Sequence, residues 1–152
     1  MSAIETNRRA ELGLTVLRVV TGIVFFMHGW TKVFVWGFEG TAAGFAQMGI
    51  PLAGIAGPFV GLLELLGGLA LIIGLGSRWI SIPLAFTMLV AIVQVHLAAG
   101  FFAPNGYEFP LMLLAGLVGL TLAGGGAFAM DNVLAARRNT GLARSGRLAT
   151  AS

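Results

Sequence analysis

Four side chains able to hold or exchange a proton lie inside apolar stretches of this chain: His28, Lys32, Glu64 and His96. A fifth, Glu108, stands just before another such stretch. His28 and Lys32 are four residues apart, so on a helix they are neighbours on one face. Glu64 is the only charge in residues 55–75. A carboxylate deep in hydrocarbon costs about 2.5–3.5 kcal/mol, so it is rarely placed there without a partner or a role. Together these groups can form an ion pair, hydrogen-bond a polar headgroup, or pass a proton. Two His and a Glu also suit a metal. No His/Glu pair sits at i,i+3 or i,i+4 within one helix, so no metal site is expected.

The elements that must position these groups follow from composition. The 152 residues are 57% hydrophobic and only 10% charged, with mean hydropathy +0.92. Soluble domains carry about 25% charged residues. The expected class is therefore all-α and membrane-embedded, in one domain. Four segments are long enough to span about 30 Å of hydrocarbon, at residues 12–36, 55–75, 79–99 and 109–129. A bilayer offers an open backbone no hydrogen bonds, so such segments form helices, and the alternation of a membrane barrel is missing. Residues 1–11 and 132–152 flank this four-helix domain, the latter a basic tail with little to bury. The first apolar stretch is too long for a signal core and reads as a retained helix.

Charge sets the expected topology. Arg8 and Arg9 precede the first span, Arg78 lies between the second and third, and Arg137, Arg138, Arg144 and Arg147 follow the last. The other two loops carry Glu39 and Glu108 and no base. The positive-inside rule places both termini and Arg78 in the cytoplasm, with an extracytoplasmic segment between the first two spans. Residues 41–50 of that segment read as a short surface helix ending at Pro51. The net charge of +3 is thus a topology signal, and no nucleic-acid partner is inferred. The absence of Cys excludes disulfide, thiolate-metal and CxxC redox chemistry in this chain.

On the first helix Arg18, Thr21, Gly22, Phe25, His28, Gly29 and Lys32 share a narrow face. On the second, Gly57, Gly61, Glu64 and Gly68 share one, with Gly67 on its flank. Small residues let membrane helices approach closely, so these glycines are expected to pack helices and to turn Glu64 toward a neighbour. Helix directions then bring Lys32, His28, Glu64 and His96 together in the outer half of the bundle, with Glu108 at the rim. Arg18 and Arg78 fall toward the cytoplasmic side as interfacial anchors. Plainer roles stand beside these: Glu64 as a structural ion pair with Lys32 or His28, Lys32 reaching to the headgroups, and the imidazoles bonding neighbouring helices.

These residues also carry a family resemblance. His28-Gly29-Trp30-Thr31-Lys32 resembles the first-helix motif of the DoxX family of small bacterial membrane proteins. Phe45-Ala46-Gln47-Met48-Gly49-Ile50-Pro51 is similar to that family's loop. Glu64-Leu65-Leu66-Gly67-Gly68, followed by Gly74, Leu75 and Arg78, resembles its second helix and turn, and His96 fits the third. The resemblance implies a four-helix bundle in the bacterial cytoplasmic membrane with both termini inside. It also implies a link to quinone-dependent oxidoreductases or to accessory proteins beside redox and detoxification enzymes. The relatives that do thiol–disulfide chemistry need cysteines, which this chain lacks.

Three functions are therefore expected to compete. In the first, the chain is a membrane subunit of a redox-linked complex, respiratory or photosynthetic, whose polar cluster bonds a quinone headgroup, with Glu64 or His28 exchanging the proton. No ligand set for haem, flavin or an iron–sulfur cluster is present, so no intrinsic cofactor is expected and electrons come from a partner. In the second, it is a structural subunit docking other membrane proteins. In the third, the polar residues line a small-molecule or proton pathway.

Overall fold

The computed structural model describes residues 3–136, which include no strand. Arg137, Arg138, Arg144 and Arg147 lie outside the described residues. Helix α1 runs Ala3–Trp30 and continues into a π-helical segment, Thr31–Val35. Helix α2 (Gly37–Gln47) follows, then α3 (Ala53–Ile73) and α4 (Ser77–Val90). A second π-helical segment, Ala91–His96, and a 3₁₀ turn, Leu97–Ala99, extend α4, and α5 runs Glu108–Ala123. Three helical stretches are long and apolar enough to cross a membrane: Glu5–Val35, Ala53–Ile73 and Ser77–Ala99. The fourth, Glu108–Ala123, is apolar but shorter, at 16 residues.

The first helix starts nine residues before the apolar stretch because Ala3–Glu11 lacks helix breakers and carries Glu5 in its first turn, where an acid suits the helix dipole. The last helix ends six residues earlier than its apolar run suggests. Three consecutive glycines, Gly124–Gly126, break it, with φ of +97° at Gly124 and +79° at Gly126. Apolar character continues to Ala129, but residues 124–129 are non-helical and the chain is helical again over 130–136.

α1 packs most extensively on α3, α4 on α5, and α2 on α3. Phe25, Leu71, Leu84, Met88, Leu117 and Leu120 form the buried core. The α1–α3 seam is built on glycine. A Cβ at Gly29 would overlap the backbone of Leu65, and one at Gly68 the backbone of Phe26. At Gly22 it would stand 2.8 Å from the Gly68 carbonyl. Gly57 meets Ala42 of α2, Gly61 meets the Lys32 side chain, and Gly67 meets Leu84 of α4. Outside this core the helices carry large exposed apolar side chains, including Val16, Leu66, Trp79 and Leu122, as helices facing lipid do.

One end of the bundle is closed by Arg18, which is 1% exposed. Its guanidinium donates to the carbonyls of Leu71 (2.5 Å), Ile72 (2.8 Å), Gly125 (2.7 Å) and Phe128 (3.3 Å). Arg18 therefore satisfies the carbonyls left open at the C-terminus of α3 and ties in the loop after α5. This corrects the reading of Arg18 as an interfacial anchor: the face it shares with Thr21 and Phe25 turns inward at this level too. Asp131 completes the closure by accepting from Gly76 N (2.8 Å) and Ser77 N (3.2 Å) at the start of α4. Arg78 is exposed and donates to the Ala123 carbonyl at 3.1 Å.

Candidate functional site

At the other end of the α1–α3 seam, Lys32 Nζ donates to Glu64 Oε2 at 2.5 Å. The lysine side chain is 13% exposed and that of the glutamate 5%. Gly61 makes this contact feasible: its missing side chain leaves room for Lys32 Cβ, which lies 3.3 Å from where a Cβ would be. The local backbone contributes as well. Lys32 sits in the π-helical segment closed by Trp36 N to Thr31 O (2.9 Å). The carbonyl of Lys32 accepts instead from the hydroxyl of Thr41 on α2, at 2.8 Å. Thr41 is itself buried, so α2 is pinned beside the ion pair.

The pair forms part of the wall of a cavity of about 540 Å³. Its lining is mostly apolar and rich in rings, with Phe25, Trp36, Phe45, Phe59, Phe86 and Phe109 contributed by the four main helices and the segment around α2. His28 and His96 also reach it. Four of the sequence-derived candidates, Lys32, Glu64, His28 and His96, therefore share one cavity. Both π-helical segments contribute to its wall, through Lys32 on one side and Ala91, Val95 and His96 on the other. π insertions are frequent at functional sites because the extra residue redirects side chains.

The polar groups differ in how they are satisfied. His96 Nδ1 lies 2.7 Å from the Asn105 carbonyl, which ties the second π segment to the loop before α5. The Thr87 hydroxyl donates back to Leu84 O at 2.7 Å. His28 is exposed, and its ring faces Phe109 of α5 at 6.5 Å between centroids. Glu108 does not line this cavity. Its Oε1 accepts from Ala103 N at 2.7 Å, stabilising the loop before α5, and it borders a separate hollow with Phe101 and Met112. It faces that loop because the chain folds back there, with Glu108 N also bonding Phe101 O at 2.9 Å. Gln94 is exposed and, unlike His96, does not line the cavity.

Among the described residues no three His, Asp or Glu side chains are grouped to hold a metal. What the arrangement can do is bind. A ring-lined cavity with one ion pair suits a lipophilic molecule with a polar end. Sequence reading missed Thr41 and the aromatic lining. Thr41 stands in a Gly- and Ala-rich stretch with no periodic signal, and Phe59 and Phe86 are indistinguishable by type from lipid-facing side chains.

The DoxX family model matches residues 13–97 of the chain. The protein named "Putative oxidoreductase CatD" of Bacillus subtilis is 36% identical over 125 residues, covering 82% of this chain and 89% of its own length. The "Inner membrane protein YqjF" of Escherichia coli is 34% identical over 128 residues, covering 82% and 93%. An "Uncharacterized membrane protein" of Mycobacterium tuberculosis is 30% identical over 132 residues, covering 80% of each chain. No solved structure matches the chain significantly.

Proposed function

The chain belongs to the DoxX family of membrane proteins, and from that premise we propose that it is a membrane subunit or accessory protein of a redox-linked complex. Its cavity takes the headgroup of a membrane quinone. The observation that carries this reading is the Lys32–Glu64 ion pair on the wall of a ring-lined cavity. The ammonium can donate to a quinone oxygen, and the carboxylate can take up or release the proton that accompanies its reduction. Electrons come from a partner subunit. The word oxidoreductase in the name of the CatD relative supports the redox link.

The same proposal places the protein in the bacterial cytoplasmic membrane, in line with the name of the YqjF relative. It has four spans and both termini inside. The 16-residue α5 is about 24 Å long, short of the hydrocarbon thickness. Local bilayer thinning accommodates such a helix at modest cost. Arg8, Arg9 and Arg78 then share the cytoplasmic face with the Arg18 closure.

A second reading has its own support. The ion pair links α1 to α3 directly, so it also suits a structural subunit that docks other membrane proteins. Extraction in mild detergent followed by identification of co-purifying chains tests the subunit reading. Recovery of a respiratory or other redox enzyme supports it, and a lone monomer or homodimer counts against it. Glu64→Gln separates the two readings. Normal assembly with failed quinone-linked activity favours the chemical role; failure to accumulate favours the structural one.

A further inference from the structure

The cavity wall carries a small set of polar side chains, and nearly all of them are engaged within the protein. Lys32 and Glu64 hold each other. Thr41 donates to the Lys32 carbonyl, Thr87 to the Leu84 carbonyl, and His96 bonds the Asn105 carbonyl. His28 and the Trp36 indole are the exceptions, neither of them hydrogen-bonded to any described residue. Of the two, His28 alone offers both a donor and an acceptor, and its ring faces Phe109. It is also exposed while lining the cavity, so it stands where the cavity meets the surface, at the seam between α1 and α5.

The ring nitrogens of His28 are therefore open to a molecule in the cavity mouth. We propose that His28 is the specificity-determining residue of the cavity. It hydrogen-bonds an oxygen substituent of an uncharged, lipophilic ring compound that enters between α1 and α5. The class follows from the lining. Flat rings pack well against the aromatic walls, while the Lys32–Glu64 pair is already neutralised and gives no net charge to attract an ion. A neutral imidazole has one donor and one acceptor nitrogen, so it serves a carbonyl oxygen and a hydroxyl alike. It can thus hold both the oxidised and reduced forms of one ring. The inference rests on the proposed function for the occupancy of the cavity and adds the residue that reads the ligand.

Trp36 lines the cavity and provides the readout. The full chain carrying Trp30→Phe and Trp79→Phe, in lipid nanodiscs, is titrated with two quenchers of its remaining tryptophan. One is ubiquinone-1, which bears ring oxygens; the other is bromobenzene, which bears none. The expected result is that His28→Phe weakens ubiquinone-1 about five- to tenfold, the loss of one hydrogen bond, and leaves bromobenzene unchanged. His28→Gln, which keeps a donor and an acceptor, restores affinity to within about twofold of His28. An unchanged ubiquinone-1 affinity in His28→Phe overturns the role of His28 while leaving the cavity reading intact. An equal loss for both probes also overturns it, because it reports lost packing. No binding of either probe by the chain with His28 in place overturns this proposal and the quinone reading together.

Discussion

Two cations, Arg18 on α1 and Lys32 on its π-helical continuation, are treated in opposite ways. Arg18 and Lys32 lie on the same face of one helix, and both point toward α3. Arg18 hydrogen-bonds four backbone carbonyls in closely packed surroundings, with the Asp131 carboxylate near but not bonded to it. Lys32 finds a carboxylate beside a large cavity. The fork of the guanidinium can serve several carbonyls at once, whereas an ammonium acts as a compact point charge. The first arrangement closes the end of the fold and leaves nothing over for a ligand. The second keeps charge, space and a nearby imidazole available. Burial of a charge alone therefore does not mark a site in this molecule. The space beside it does.

The contrast breaks most clearly at Arg18. Arg18→Met leaves the carbonyls of Ile72, Gly125 and Phe128 short of donors, at about 1–3 kcal/mol each, and that of Leu71 with only Gly74 N at 3.2 Å. A total loss of about 4 kcal/mol or more is expected, read as a fall in melting temperature of over about 10 °C in detergent; a fall under a few degrees would show that the closure is dispensable. Gly29→Leu comes next. It drives a side chain into the Leu65 backbone and separates α1 from α3, with an expected loss of about 3 kcal/mol and collapse of quinone-analogue binding. Unchanged melting would show that the close approach of α1 and α3 at Gly29 is dispensable for the fold.

At the second cation the effects are smaller and separable. Glu64→Leu alone strands the ammonium and should cost about 3 kcal/mol. Lys32→Met with Glu64→Leu should return melting to within about 1 kcal/mol of the parent, because a buried pair is often no more stable than its apolar replacement. The double variant should still lose quinone-analogue affinity. Retained affinity would make the pair structural, and so erase the difference from Arg18. Arg78→Gln is the smallest expected effect, under about 0.5 kcal/mol. It removes one exposed bond to the Ala123 carbonyl, and a larger shift in a melting curve would show that the closure extends beyond Arg18 and Asp131.

Much of this was visible in residue types and spacing. The one-face alignment of Arg18, Gly22, Gly29 and Lys32, set against Gly61, Glu64 and Gly68, is enough to put the two helices in contact and the acid near the base. Local spacing carries that information because both helices stay regular over most of the seam. The role of Arg18 was hidden because its acceptors come from Leu71 and Ile72, more than 50 positions away, and from a loop inside what reads as a continuous apolar run. The signal was present in Gly124–Gly126, since three successive glycines disfavour a helix. The π segments had no comparable signal, because they depend on tertiary contacts such as Thr41 taking the Lys32 carbonyl. The bond from Ala103 N to Glu108 is hidden for a related reason: loop folding, which decides its partner, leaves little trace in a hydropathy pattern.

The π-helical segment at Thr31–Val35 also constrains how this chain can change in length. Such a segment is equivalent to an α-helix with one residue inserted. Deleting a single residue there would restore the regular ladder, because four α-helical residues at about 100° each turn the chain about as far as five residues of the wider π turn. Trp36 and α2 would keep their present positions, and only the side chains of Thr31–Val35 would be redistributed. A single-residue deletion in this segment that spares Lys32 should therefore be far better tolerated than one in the regular run of α1 before it, which would rotate Trp36 and α2 by about 100°.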